Sequence, residues 1–457
     1  MAIAATIEWE VRTTGTASNA NGGGYKPGAS GTDYSQQDAA QYNLTGVTTA
    51  AADAILLSAS AAADMVGNLA HIVSGTNFTV GWYEIVSVVA GVSITLDRTC
   101  TSAAGAAGVV NIGGALSLGH TTDDAVFESM EPGNIMHIKS GTYTLGSAIS
   151  MAKDGTGALP IAVRGYQTAR NDSPISTGRP TLAFGANSSL FGDNVHINCV
   201  IFTTTSATGV DTGAADVISR CKSTNSSLTA GRSAFRMTTA SMLLSSEAAS
   251  DAGEAVELNV STGTRGIRIV GCYLHDSDTG VHLNALDENV VLHNIIDTVV
   301  TGINTGSGSN QNTIAGNTIY GAATPAGTSR GIYFVATTGT NNLVENNIIS
   351  GFVTGIDSAA VVTSNIFRYN ALHNNTTNYV NVTAGEGSIT SDPAFVDAPN
   401  GNFAVGANMK AAGSPGVFPG GLSTGYLDIG AVQRVEPVGG GSSGGARVIG
   451  AGIVSGG

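Results

Sequence analysis

A segment of about 22 residues repeats through the second half of this 457-residue chain. Each copy holds an asparagine that opens a short apolar run and a glycine that precedes valine or isoleucine. One step is longer, because ATPAGTS (residues 323–329) is inserted in both series. The asparagines are Asn294, Asn317, Asn347 and Asn370, and the glycines are Gly280, Gly302, Gly331 and Gly355. A repeat of this length predicts a stack of similar units.

The pattern inside each unit favours short β-strands. Its apolar stretches are three to five residues long, partly alternate, and are separated by Asn, Gly, Asp and Ser. A unit this small cannot bury its own apolar face, so it must pack on the next unit. The sequence therefore predicts a parallel β-helix whose coils lie about 4.8 Å apart. Between Gly133 and about Thr390 we expect about 11 coils.

The repeated asparagines and glycines are interpreted as structural. Asparagine tolerates a left-handed backbone in tight turns, and stacked amides can bond along the ladder of coils. The glycine fits a second turn that requires positive φ. The residue after the glycine is expected to point into the stack.

Three further motifs resemble the right-handed parallel β-helix superfamily of pectate-lyase-like proteins. GNIMHIKSGTYTL (residues 133–145) is similar to the usual first coil, and TTDDAVFESM (121–130) to the N-terminal capping helix. SDPAFVDAPNGNFAV (391–405), followed by GSPG and LDIGAVQR, resembles the usual closing segment. The resemblance implies an all-β fold and leaves the function open, because this superfamily includes lyases, hydrolases, adhesins and phage proteins.

The two ends of the chain do not follow the repeat. Residues 1–118 predict a small β-rich N-terminal attachment domain, with a β-meander at 68–98 and a short helix within 33–44. These residues resemble the N-terminal segments of phage-encoded β-helix proteins. The β-helix is expected at 119–390, the closing segment at 391–434, and a Gly/Ser-rich tail at 435–457.

Net charge and cysteine spacing limit the kinds of partner and cofactor that we expect. The formal net charge is −14 without a long Lys/Arg run, which argues against nucleic acid as a partner. No apolar stretch is long enough for a transmembrane helix, and the start lacks a signal-peptide pattern. The four cysteines form no C-x-x-C pair, so we expect neither a metal site nor a cofactor. They are interpreted as core thiols, with a disulfide or a reactive thiol as the alternative.

The richest polar stretch is LHDSDTGVHLNALDE (residues 274–288). It offers carboxylates and imidazoles on one coil, the groups that bind or hydrolyse sugars, and Glu254, Glu257 and Arg265 lie on neighbouring coils. The alternative interpretation is a set of solvated turns, and calcium binding has no support. The glycan-binding candidates are His275, Asp276, Asp278 and Asp287, and the weaker catalytic candidates are Asp276, Asp278 and Arg268.

The favoured functional hypothesis is a structural or adhesive protein on the particle surface of a tailed bacteriophage, as a head decoration, tail spike or fibre. The resemblance implies a homotrimer that contacts other virion proteins through the N-terminal domain and the C-terminal tail, and binds a surface polysaccharide. The alternative is a polysaccharide lyase or glycoside hydrolase, and a bacterial surface adhesin is a third option. Two or more outward carboxylates, or carboxylates with arginine, across neighbouring coils would favour the enzyme.

Overall fold

The computed structural model describes most of the chain, in two compact units, Met1–Ile201 and Phe202–Gly457. None of the described helices is long and apolar enough to cross a membrane. The described residues are 3, 6–16, 20–118, 123–151, 153–174, 177–205, 207–258, 265–284, 286–321, 327–335, 339–361, 363–414, 427–433 and 447–448.

The first unit consists of β-strands, one short helix, α1 (Asp123–Glu128), and a 3₁₀ turn at Ala63–Met65. Its strands are β1 (Glu8–Thr16), β2 (Gly24–Tyr25), β3 (Tyr42–Thr49), β4 (Ile55–Leu57), β5 (Leu69–Phe78), β6 (Gly81–Val89), β7 (Ser93–Leu96), β8 (Thr101–Ile112), β9 (Ile135–Lys139), β10 (Thr142–Thr144), β11 (Ile149–Ser150), β12 (Ile161–Tyr166), β13 (Thr181–Gly185), β14 (Ser189–Leu190) and β15 (Val195–Asn198).

Strands β3 to β8 close into a barrel in the order β3-β4-β7-β6-β5-β8. Strands β5, β6 and β7 form the antiparallel meander expected at 68–98. Leu56, Ile72 and Ile94 lie in the barrel core. The helix expected within residues 33–44 is wrong. Asp33 instead accepts hydrogen bonds from the backbone and hydroxyl of Ser35, and such local bonds compete with a helix.

The first coils begin with β9, which pairs in parallel with β1 on one side and β12 on the other. Trp9 of β1 is fully buried and donates to Asn134 Oδ1. Glu10 is buried as well, and it is paired with Arg12 and Arg170. The chain's first long strand therefore completes the first coil of this unit.

The second unit consists mainly of short β-strands, with 3₁₀ turns at Ala398–Asn400 and Ala407–Met409 among its described residues. Its strands are β16 (Ile201–Thr204), β17 (Val210–Asp211), β18 (Val217–Ser219), β19 (Lys222–Asn225), β20 (Phe235–Met237), β21 (Met242–Leu244), β22 (Glu247–Leu258), β23 (Arg268–Val270), β24 (Tyr273–His282), β25 (Val290–Leu292), β26 (Ile295–Thr305), β27 (Thr313–Ala315), β28 (Thr318–Tyr320), β29 (Arg330–Phe334), β30 (Leu343–Glu345), β31 (Ile348–Ser350), β32 (Thr354–Ser358), β33 (Ile366–Arg368), β34 (Ala371–His373), β35 (Thr377–Val380), β36 (Val432–Gln433) and β37 (Arg447–Val448).

Two parallel sheets carry these coils. Strands β18, β21, β23, β25, β27, β30 and β33 follow one another in one sheet, and β22, β24 and β26 are the long strands of the other. The predicted right-handed parallel β-helix is confirmed, with about nine coils where about 11 were expected. The excess arose because the expectation applied the 22-residue period throughout, whereas β12 and β15 start at Ile161 and Val195.

The repeated asparagines form a buried ladder, as predicted. Asn347 donates from its backbone N–H and Nδ2 to Asn370 Oδ1, at 3.1 and 3.0 Å, and from Nδ2 to the Ile314 carbonyl at 2.9 Å. Asn317 donates to Asn347 Oδ1 in the same way. A second ladder, which the sequence analysis missed, consists of Asn289, Asn312, Asn342 and Asn365.

The left-handed conformation expected at the ladder asparagines is wrong. Positive φ falls on the residue before each asparagine, and the side chain there is not restricted to asparagine. These residues are His293 (φ 54°), Gly316 (62°), Asn346 (56°) and Tyr369 (53°). The ladder position therefore selects asparagine for its amide, which can donate and accept at once.

The repeated glycines are needed for space, so the expected positive φ is also wrong for them. None of these glycines, all of them in strands, has a positive φ. A Cβ on Gly331 would lie 2.2 Å from Ile349 Cγ2 and 2.6 Å from the Gly355 carbonyl oxygen. Ile332, which follows, is fully buried, as expected for a residue pointing into the stack. Each glycine marks a bend where two consecutive residues face inward.

The four cysteines are buried and none of them is in a disulfide, which confirms their interpretation as core thiols. Burial raises the pKa of Cys100 to about 11 and that of Cys272 to about 12. The backbone N–H of Cys272 donates to Asn294 Oδ1, so this residue continues the asparagine ladder. The thiols are therefore poor nucleophiles at neutral pH.

The closing segment packs on the outer face of the second unit. Phe403 and Val432 are buried with Ile295 in one apolar cluster, and Val405 and Met409 are buried with Ile348 in another. The Ala431 backbone N–H also donates to Thr318 Oγ1 at 3.0 Å. The outer face of β26, β28 and β31 is thereby covered.

We expect Asn347→Ala to lower the free energy of unfolding by about 2–4 kcal/mol, because the Asn317 N–H and the Ile314 carbonyl lose buried partners. Urea denaturation measures this loss. The exposed Asn408 provides the control, and Asn408→Ala should change stability by less than about 0.5 kcal/mol. Equal effects of the two variants would contradict the role of the ladder.

We expect Gly331→Ala to destabilise the protein by about 1–3 kcal/mol, because the added methyl group enters occupied space between two coils. Gly157→Ala is the control, since nothing lies within 4 Å of a Cβ there. Thermal unfolding compares the two variants. A neutral result for Gly331→Ala would show that the coils can separate to admit a methyl group.

Candidate functional site

The stretch 274–288 is divided between different surroundings. His275, Asp276 and Asp278 lie on β24, whereas Arg268 begins β23 in the other sheet. Asp287 accepts from the backbone N–H and Nδ2 of Asn310, at 2.7 and 3.0 Å. Asp278 is exposed. The structure thus brings His275 and Asp276 together and gives Asp287 a turn-stabilising role, while glycan binding by the four predicted residues stays a prediction.

His275 lies between two carboxylates on adjacent coils. Its Nε2 is 3.2 Å from Glu247 Oε1 and its Nδ1 is 2.8 Å from Asp276 Oδ2. Lys222 Nζ lies 2.6 Å from Glu247 Oε1. Tyr273 stacks on the imidazole, with ring centroids 4.4 Å apart. We call Lys222, Glu247, His275 and Asp276 the His275 cluster.

The ionised forms of His275 and Glu247 stabilise each other. Burial would lower the pKa of His275, but the hydrogen bonds to Glu247 and Asp276 outweigh it and raise this pKa above its ordinary value. Burial would likewise raise the pKa of Glu247, yet the bonds to His275 and Lys222 lower it to about 2. An imidazolium that is bonded at both nitrogens has no free nitrogen to act as a base. The cluster instead ties three successive coils together.

Asp297 lies on the next coil, opposite His275 in the register of β24 and β26. Tyr273 donates to Asp297 Oδ2 at 3.2 Å, and Thr298 donates to Oδ1. Burial raises the pKa of Asp297. Tyr273 also packs against the apolar cluster of the closing segment, so this carboxyl is only 8% exposed. It is poorly placed to meet a large substrate.

A second group of polar residues faces outward where the long strands bend. Glu254 and Glu257 flank the buried Ala255 and Val256 on β22, and the register sets Glu257 beside His282 of β24. His282 Nδ1 is 3.5 Å from Glu254 Oε1. The sequence analysis noted both glutamates only as neighbours. The sequence signal for this pair is two glutamates separated by a small and a β-branched residue. A straight strand would place two residues at this spacing on opposite faces of the sheet.

The two glutamates differ in environment. Burial, and then the negative charge of Glu254, raise the pKa of Glu257. Ser233 donates to Glu257 Oε2 at 3.2 Å, and Asn284 Nδ2 lies 3.5 Å from Oε1. Glu254 Oε2 is buried without a hydrogen-bond partner among the described residues. Carboxyls in such contrasting settings can divide the roles of acid and base.

The register extends this outward row along neighbouring coils. Parallel pairing aligns Asp211, Arg236, Glu257 and His282, and then Asn304, Tyr333 and Asp357. On the other side of the bend, Arg330 occupies the same register position on its coil as Glu254 does on an earlier coil. We call the set formed by Asp211, Arg236, Glu254, Glu257, His282, Asn304, Arg330, Tyr333 and Asp357 the outward strip.

The chain resembles known β-helix proteins in sequence and in fold. The family model "Periplasmic copper-binding protein (NosD)" matches residues 188–393, and no curated protein matches. Similar solved structures include pectate lyase Pel9A, at 15% identity over 69% of this chain and 90% of that chain, with a TM-score of 0.45. A mannuronic acid specific family 6 polysaccharide lyase from human gut microbiota shares 12% identity over 62% and 69% (TM-score 0.41). The A-module of the mannuronan C-5 epimerase AlgE6 of Azotobacter vinelandii shares 13% over 57% and 83% (TM-score 0.38).

The strand pairing itself defines this chain as a right-handed parallel β-helix. The activities named for the similar structures belong to those proteins. Copper, which the family name includes, requires several donor side chains around one ion. Within the described ranges, no group of three or more His, Cys, Asp or Glu is arranged to hold a metal ion. The residues present therefore do not fit a copper site.

We expect the His275 cluster to make stability depend on pH. The folded state holds the His275 proton more tightly than the unfolded state, so this stabilisation is complete below about pH 6.5 and is lost as the pH rises through the raised pKa. His275→Gln should remove about 1–2 kcal/mol of unfolding free energy at pH 6 and less at pH 9. Urea denaturation at several pH values measures the difference.

The half-exposed His373 provides the matched control for that measurement, because its Nε2 lies 3.8 Å from Asp392. His373→Gln should give a smaller loss of unfolding free energy than His275→Gln at pH 6. If the loss of unfolding free energy in His275→Gln does not change with pH, the proposed ion pairing in the His275 cluster is wrong.

Proposed function

We propose that this protein hydrolyses glycosidic bonds in an extended polysaccharide that lies along the outward strip. One observation carries the proposal. Glu254 and Glu257 face outward on both sides of one bend, and Glu257 has a raised pKa beside the charge of Glu254. A carboxyl that holds its proton more tightly than usual, next to a second carboxyl, is what glycoside hydrolysis requires.

The two glutamates take complementary roles in this scheme. Glu257 donates its proton to the glycosidic oxygen while the bond from that oxygen to the anomeric carbon breaks. Glu254 accepts a proton from a water molecule, whose oxygen forms the new bond to the anomeric carbon. The net reaction consumes one water molecule, and the two carboxyls exchange protons with solvent afterwards. His282, 3.5 Å from Glu254, positions that carboxylate.

The rest of the outward strip supports the binding of a long substrate. Its members lie on successive coils about 4.8 Å apart, so a chain of sugars can meet Asn304 and Tyr333 beyond the paired carboxyls. Hydrogen-bonding side chains and an aromatic ring are typical of such surfaces. A protein with this activity would work outside the cytoplasm, where polysaccharides are found.

We expect Glu257→Gln to lower the rate of reducing-end release by about 10²–10⁴-fold, because the variant has no proton to donate. The substrate is the polysaccharide that the wild-type protein cleaves in a panel. Wild-type activity should fall as the pH rises through the raised pKa of Glu257. Glu345→Gln, in the other sheet, keeps full activity and serves as the control.

The products separate the alternatives. Unsaturated uronate among the products would indicate a lyase and overturn hydrolysis. Binding without any cleavage would also overturn it, and would fit the adhesive role instead. Display on a tailed-phage particle, as a homotrimer that contacts other virion proteins, stays a prediction from the resemblance. The contacts with other virion proteins were predicted in part for the C-terminal tail at 435–457, which lies outside the described residues except for 447–448. Residues 323–326 of the inserted ATPAGTS also lie outside the described residues.

A further inference from the structure

Both arginines of the outward strip are neutralised by aspartates. Arg236 pairs with Asp211 through two hydrogen bonds, at 2.5 and 2.7 Å. Arg330 Nε lies 2.5 Å from Asp357 Oδ2. Each aspartate side chain is only 13% exposed, so it stays close to its arginine and away from bulk water. The charge of each arginine is therefore balanced by an adjacent aspartate.

The two ion pairs leave Glu254 as the carboxylate of the outward strip that has no arginine or lysine partner among the ion pairs of the described residues, because Glu257 acts in its protonated form. His282 lies beside Glu254, and Arg236, Ser233 and Asn284 lie near Glu257. The whole chain carries a formal charge of −14. A substrate that carries carboxylates would meet the like charge of Glu254 and of the chain as a whole, and like charges facing each other oppose binding.

The geometry points to a substrate without carboxylates, an uncharged or amino-bearing sugar polymer, and assigns Asp211 and Asp357 as the residues that set this specificity. The inference rests on the proposed function, since it names the substrate class of the same strip. It also bears on the reaction, because elimination by a lyase starts from a uronate and needs its carboxylate neutralised.

Arg330 offers the sharper test of the two arginines. Its guanidinium carbon lies 4.1 Å from the centre of the Tyr333 ring. This contact can keep Arg330 in place after Asp357 is replaced, because a cation is attracted to the face of an aromatic ring. Asp357→Asn should therefore leave a positive charge at the same point on the strip, now without its counterion.

The experiment compares polysaccharides that share a backbone and differ in carboxylates. The probes are homogalacturonan with free and with methyl-esterified carboxyls, and cellulose oligomers before and after oxidation of the primary hydroxyls. The full chain, with Glu257→Gln to prevent turnover, should bind the uncharged member of at least one pair about tenfold or more tightly than the charged member. Added salt should narrow this difference.

Asp357→Asn should reduce the preference at least about threefold, because the freed arginine attracts carboxylates. Glu345→Gln is the matched control, since it frees Arg368 from a similar 2.7 Å pair and changes the net charge equally, but in the other sheet. Its preference should equal that of the parent. The Asp211→Asn variant repeats the test at the other arginine.

Several outcomes overturn the inference. These are equal or tighter binding of the carboxylated member, equal shifts for Asp357→Asn and Glu345→Gln, and binding of neither member of any pair. Failure of the proposed hydrolysis has a separate signature. If the wild-type protein prefers the uncharged member but releases no reducing ends, the inference about charge selectivity stands and the catalytic role of Glu257 is wrong.

Discussion

The asparagine ladders are the interaction on which the rest of the second unit depends. Each amide donates to the next coil and accepts from the previous one, inside the buried core. A buried amide left without a partner lowers stability by about as much as a lost hydrogen bond. A shift of one coil in register would therefore be strongly destabilising. Fixed register makes residues from different repeats into neighbours. The pairing of Glu247 with His275, 28 positions apart, is one result.

The stacked glycines give the outward strip its shape. At each bend two consecutive residues face inward, and the first has no room for a side chain. The residues on either side then both face outward, as Arg330 and Tyr333 do around Gly331 and Ile332. A straight strand would have turned one of them into the core. The same packing constraint therefore stabilises the coils and places charged groups in two parallel rows.

The sequence was sufficient for the fold because the repeat is a local signal. The spacing of Asn294, Asn317, Asn347 and Asn370 predicted the ladder, while their backbone conformation could not be read from composition, since Asn346 and Tyr369 carry the positive φ. The site was harder to predict. The partners of His275 and Glu257 depend on the length of every intervening loop, which no single repeat reveals. In the acidic stretch around Asp276 and Asp278, the contacts of His275 with Glu247 and Asp276 join two coils, while Asp278 is exposed on the same strand.

Stability and specificity share the same contacts in the outward strip. The pairs of Asp211 with Arg236 and of Arg330 with Asp357 each join adjacent coils. Partly exposed pairs of this kind contribute only about 0–1 kcal/mol, so the two ladders and the glycine stack, rather than these pairs, hold the coils together. The electrostatic potential along the strip, by contrast, depends directly on whether each arginine keeps its counterion. The charges of the strip can therefore change with little loss of stability, which lets one β-helix scaffold present surfaces of different sign.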